Sequence, residues 1–93
     1  MTDWLEILKQ QTVTGDQMAQ EVADMVAKPD LSEAQAKTLF SALEKQADFV
    51  EKLRMALEKI GHDFPVIQAA ERLEEQYADL AATMAEKLKS LRG

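Results

Sequence analysis

The chain has 93 residues, 17 of them Asp or Glu against 11 Lys or Arg, so it carries −6 at pH 7. That length allows one domain, residues 1–93, and makes a sizeable core hard to bury without a disulfide, a metal or a second chain. With no cysteine and one histidine, disulfides, thiolate metal sites and multi-histidine centres are excluded.

Three Gly and two Pro leave few places for the chain to reverse, so long elements with few connections are expected. Alanine occurs 14 times, and Val and Ile together 8 times, a balance that favours helix over strand. The expected class is all-α: an antiparallel helical bundle built on a long helical hairpin, with two shorter N-terminal helices.

The first helix is expected over 3–11. Asp3 with Glu6 is a variant of the capping box, and Trp4, Leu5, Ile7 and Leu8 form a short apolar patch. The second is expected over 16–28. Thr14 and Gln17 make a capping box, Val13 and Met18 a hydrophobic staple, and Pro29 stops the helix.

The third is expected over 32–60, opened by Ser32 with Gln35 and closed by Gly61. Ala36, Leu39, Leu43, Gln46, Val50, Leu53, Leu57 and Ile60 follow a 3-4 alternation, the pattern of a coiled-coil seam with one polar interruption. Phe40, Ala42, Ala47, Phe49 and Ala56 widen the stripe beyond what one neighbour needs.

The fourth is expected over 65–91, with Pro65 in its first turn and Ala70, Leu73, Tyr77, Leu80, Met84 and Leu91 along its seam. Lys87 occupies one seam position, where its stem can snorkel outward. The short link Gly61–Phe64 makes helices three and four an antiparallel hairpin.

Little here can carry chemistry. There is no Glu-x-x-His pair of the di-iron bundle type, no glycine-rich phosphate loop and no cysteine nucleophile. Glu71, Glu74, Glu75 and Asp79 read as a solvated acidic face. No enzymatic activity, metal or cofactor is expected.

Gln17–Leu43 reads helix, Lys-Pro-Asp turn, helix, and resembles helix-turn-helix units. It is also similar to the helical half of histone-like DNA-bending proteins, though the β-arm that would follow is absent. The resemblance implies a DNA-binding regulator using residues 17–43. Charge opposes it: residues 1–36 hold 7 acids and 2 bases, a surface that phosphates repel. His62-Asp63-Phe64-Pro65 resembles the His-acid-x-x-x-Pro box of histidine-kinase dimerisation domains, with the proline three residues after the histidine instead of five. That resemblance implies phosphotransfer through His62.

The apolar seam is the main signal, and it points to a non-enzymatic protein–protein interaction module: a small acidic adaptor, chaperone or regulator. Phe40, Leu43, Gln46, Phe49, Val50, Leu53 and Leu57 form the expected interaction face, with a homodimer as its expected partner state. The acidic blocks 1–36 and 63–86, each −5, would suit a basic protein. Nucleic acid is not an expected partner. No apolar run is long enough for a membrane span, and the acidic stretch Met1–Glu6 lacks the bases of a signal peptide, so a cytoplasmic setting is expected.

If Leu53 lies in the seam, Leu53→Ala should cost about 2–5 kcal/mol of unfolding free energy. A urea titration with an unchanged midpoint would refute the seam assignment.

Overall fold

A computed structural model describes residues 3–93, which fold as three α-helices; Met1 and Thr2, where the acidic N-terminal stretch begins, lie outside them. The helices are α1 (Trp4–Ala27), α2 (Glu33–Lys59) and α3 (Phe64–Arg92). Among the described residues there is no strand. The bundle measures 47 × 20 × 18 Å, and 29 residues at 1.5 Å each come to roughly 43 Å, so the helices lie along its length.

Each end has a local cause. Asp3 accepts a hydrogen bond from the Glu6 amide at 3.1 Å and opens α1. Lys28, ahead of Pro29, turns to extended backbone and closes it. At α2, Ser32 Oγ accepts from the Gln35 amide at 3.1 Å, and Gln35 Oε1 from the Ser32 amide at 3.3 Å, a complete capping box. Gly61 ends α2 with φ +72°, where its amide donates to Glu58 O and that of His62 to Leu57 O, which together make a Schellman motif. Asp63 occupies the N-cap of α3, but its side chain makes no capping hydrogen bond.

The two short helices expected over 3–11 and 16–28 are one rod. Thr14, read as a cap, instead donates its hydroxyl to Gln10 O at 3.0 Å, and Thr12 does the same to Leu8 O at 2.9 Å. Both hydroxyls are thereby satisfied inside the helix. Gly15, which lies in the link between the two expected helices, is buried at helical geometry. A Cβ there would sit 3.0 Å from Leu73 Cδ1, 3.1 Å from Gln76 Oε1 and 3.5 Å from Tyr77 Oη. The glycine is a notch that lets α3 approach, and that packing offsets its poor helix propensity of about 1 kcal/mol.

Helices α2 and α3 form the antiparallel hairpin. Arg54 Nε donates to Glu74 Oε2 at 2.6 Å near the turn, and Arg92 Nε to Glu33 Oε1 at 2.7 Å at the far end. Their seam buries Ala36, Leu39, Leu43, Val50, Leu53 and Leu57 against Ala70, Leu73, Tyr77, Met84 and Leu88. Along α3 the buried row passes through Leu88, with Lys87 and Leu91 half-buried beside it, because a 3.6-residue turn drifts from a strict seven-residue repeat. α1 closes the third side with Leu8, Met18 and Val22, and Leu31 plugs the α1–α2 loop.

Gly15→Ala gains helix propensity but crowds two side-chain ends, so it should leave stability within about 1 kcal/mol of the parent. Gly15→Leu should lose about 1–3 kcal/mol through overpacking against Leu73 and Tyr77. Urea unfolding of both variants checks the notch, and a harmless leucine would remove it.

Candidate functional site

The structure divides the seven residues expected to form one interaction face. Leu43, Val50, Leu53 and Leu57 are core residues of the single chain, each at most 3% exposed. Phe40 and Gln46 are half-buried, and Phe49 is 45% exposed. The four buried members are therefore no open face. The physical reason is the unbroken α1: at 24 residues it supplies the third wall that two broken pieces could not.

The middle of the bundle holds polar groups in unequal circumstances. Tyr77, fully shielded, donates its hydroxyl to Gln11 O at 3.3 Å. Gln11 Oε1 and Gln46 Oε1 are buried without a hydrogen-bond partner. An unpaired buried acceptor costs about 1–3 kcal/mol, so these two amides are the least satisfied groups of the core.

Gln46 lies on one row of α2, spaced by sevens, with Leu39, Leu53 and Ile60. Leu39 lines a cleft of about 420 Å³ with Glu21 and Met25 of α1. The row is unevenly covered. The cleft opens beside Leu39, the Gln46 oxygen is unpaired, and Ile60 is 54% exposed. A second groove of about 660 Å³ runs between α2 and α3, with Phe40, Ala85 and Leu88 as its floor and Lys37 and Lys89 at its rim.

The remaining candidate groups have structural employment. Glu74, one of the four acids on α3, receives Arg54, which also reaches Glu58 Oε1 at 2.7 Å. Hydrogen bonds to Glu74 and then Glu58 push the Arg54 guanidinium well above its ordinary range, against a smaller opposing effect of burial. An arginine so held is a permanent cation and clamps the arms together. His62 is half-buried in the α2–α3 turn, its amide tied to Leu57 O at 3.0 Å. Among the described residues no three His, Asp or Glu side chains gather into a metal-binding group. In the stretch 17–43 the two helices lie side by side: Glu21 and Met25 face residues 34–42. A DNA-binding helix-turn-helix instead crosses at about 90–120°.

Compared with protein-family models, with curated proteins and with solved structures, the chain matches none. No helix among the described residues is long and apolar enough to cross a membrane. Gly15 and Gln11 were missed in the sequence. Gln11 gave no signal, whereas Gly15 flanked by Thr14 and Asp16 imitates a turn.

Burial, and next the Asp16 carboxylate, push the Tyr77 phenol above its usual value of 10. The folded chain therefore keeps this proton at a pH where the unfolded chain has released it. This contribution to stability is whole below about pH 10 and is lost as pH rises toward the folded value. Tyr77→Phe should flatten that alkaline fall while costing about 0.5–1.5 kcal/mol at neutral pH for the lost hydrogen bond. Unfolding midpoints between pH 8 and 11 for both proteins test it, and parallel curves would refute it.

Proposed function

We propose that this chain is a non-enzymatic protein–protein interaction module, an acidic adaptor, chaperone or regulator that works as a homodimer in the cytoplasm. The observation that carries the reading is the apolar surface at the end of the bundle where α1 begins and α2 turns into α3. There Leu5, Ile60 and the 70%-exposed Phe64 stand open, with Trp4, Ile7, Val66 and Ile67 half-buried around them. Single exposed apolar residues are ordinary, but a gathered set at one end favours a partner. Supporting this, Arg54, Glu74 and Tyr77 are engaged in holding the fold. The acidic row Glu71, Glu75 and Asp79 on α3 is exposed and would suit basic side chains on a partner.

Apolar burial predicts association that is insensitive to salt, because charged pairs sit at a rim where ions screen them. Sedimentation equilibrium at low and high salt should give the same dimer mass. A monomer at both salt concentrations, even at hundreds of micromolar, would defeat the homodimer reading.

A further inference from the structure

We propose that the apolar end where α2 turns into α3 is a knob and the groove at the opposite end of the hairpin its hole, so that a second copy docks antiparallel and Phe64 of each chain sits in the groove of the other. This rests on the homodimer argued above and assigns its two contacting surfaces.

The first ground is that knob and hole share a side of the rod. Phe64 is the most exposed large apolar side chain among the described residues, at 70%. It heads a row of α3 spaced by sevens, Phe64, Glu71, Ala78, Ala85 and Arg92. Such a row drifts about 20° per repeat and so stays on roughly one side of a helix. Ala85 and Arg92 of this row line the groove of about 660 Å³, whose floor of Phe40, Ala85 and Leu88 is apolar. Leu88 follows Phe64 by 24 residues, so knob and hole stand roughly 36 Å apart along α3.

The second ground is charge. Asp63 precedes Phe64 and makes no capping hydrogen bond, and Glu71 lies one repeat further on. Lys59, across the turn, is the nearest lysine or arginine to Phe64 in sequence. The groove carries Lys37, Lys89 and Arg92 against one acid, Glu44, in a chain of net charge −6. Arg92 is held by Glu33, but Asp63, Glu71, Lys37 and Lys89 make no ion pair among the described residues. An acid-flanked knob and a base-rimmed hole attract in the antiparallel sense, whereas like ends repel.

The third ground is register and closure. Where Phe64 of one copy meets Leu88 of the other on antiparallel helices, the preceding Asp63 comes level with the following Lys89. In the same register the half-buried Ile67 comes level with Ala85. The two-fold axis then passes at residue 76, midway between Phe64 and Leu88, and both phenylalanines are seated at once. This is the reciprocity of an isologous interface, in which residue i meets j and j meets i. A head-to-head dimer would instead bury the two knobs and leave both grooves open.

The chain has no cysteine, so single cysteines report the arrangement. Asp63→Cys and Lys89→Cys proteins are oxidised alone and as a mixture. The expected result is a disulfide between the two variants that forms faster than one within either variant alone. The double variant Asp63→Cys/Lys89→Cys should close into a covalent dimer without a ladder of longer chains. Ala85→Trp, at an exposed position, should fill the groove and weaken dimerisation about tenfold or more, the equivalent of about 1.4 kcal/mol. Sedimentation equilibrium reads that loss, and an unchanged urea midpoint at a concentration where both proteins are monomeric shows that the fold is kept. A dimer in which Asp63→Cys cross-links to itself as fast as to Lys89→Cys, a ladder from the double variant, or full dimerisation of Ala85→Trp overturns this docking and leaves the homodimer standing. A monomer at every concentration overturns both.

Discussion

The contact of α1 with α3 at Gly15 is the constraint from which the architecture follows. Two helices come close enough there that one added carbon would meet Leu73 and Gln76 at 3.0–3.1 Å. Because the notch lies mid-helix, α1 must be continuous through it for Leu8 on one side and Val22 on the other to reach the core together. A break at that point would separate the two halves and leave the hairpin open along one side. The notch at Gly15 thus lets α1 lie close on α3, beside the buried row of Leu43, Val50, Leu53 and Leu57.

The same contact sets the quality of the other interface. α1 is drawn to α3 at Gly15 and linked to it through Tyr77, while its side toward α2 keeps a cleft lined by Glu21, Met25 and Leu39. Helices of fixed diameter cannot optimise two contacts independently when one of them is notched. The imbalance leaves α2 well packed against α3 and loosely covered by α1.

Helix class, the α2 boundaries and the hairpin were legible because they rest on local rules. Ser32 with Gln35, Gly61 before a short link, and a 3-4 alternation over four heptads each act within a few residues of chain. The N-terminal region misled for the same reason. Thr14, Gly15 and Asp16 resemble a turn locally, and only the distant Leu73 and Tyr77 give the glycine its place inside a helix. Five of the seven face residues came from the 3-4 seam and Phe40 and Phe49 from its flanks, but period alone does not say whether a seam is filled by the same chain or by another. The Arg54–Glu74 pair, twenty residues apart, was invisible for want of a register, whereas Arg54–Glu58 follows from helical spacing.

The two interhelical ion pairs have opposite sense along the hairpin. Near the turn the cation is on α2 and the anion on α3, and at the far end the cation is on α3 and the anion on α2. An apolar ladder with a seven-residue repeat tolerates slippage by one repeat, since Leu meets Leu again. Sliding α3 by seven places would bring Ala81 or Ile67 opposite Arg54 in place of Glu74, and Ala85 opposite Glu33 in place of Arg92. The exposed Arg92–Glu33 pair adds little to stability and the partly buried Arg54–Glu74 pair somewhat more, yet misaligned hairpins would lose both at once. Their contribution is therefore to discriminate among alignments that the leucines cannot tell apart, and raising the ionic strength would erode that discrimination before it eroded the fold.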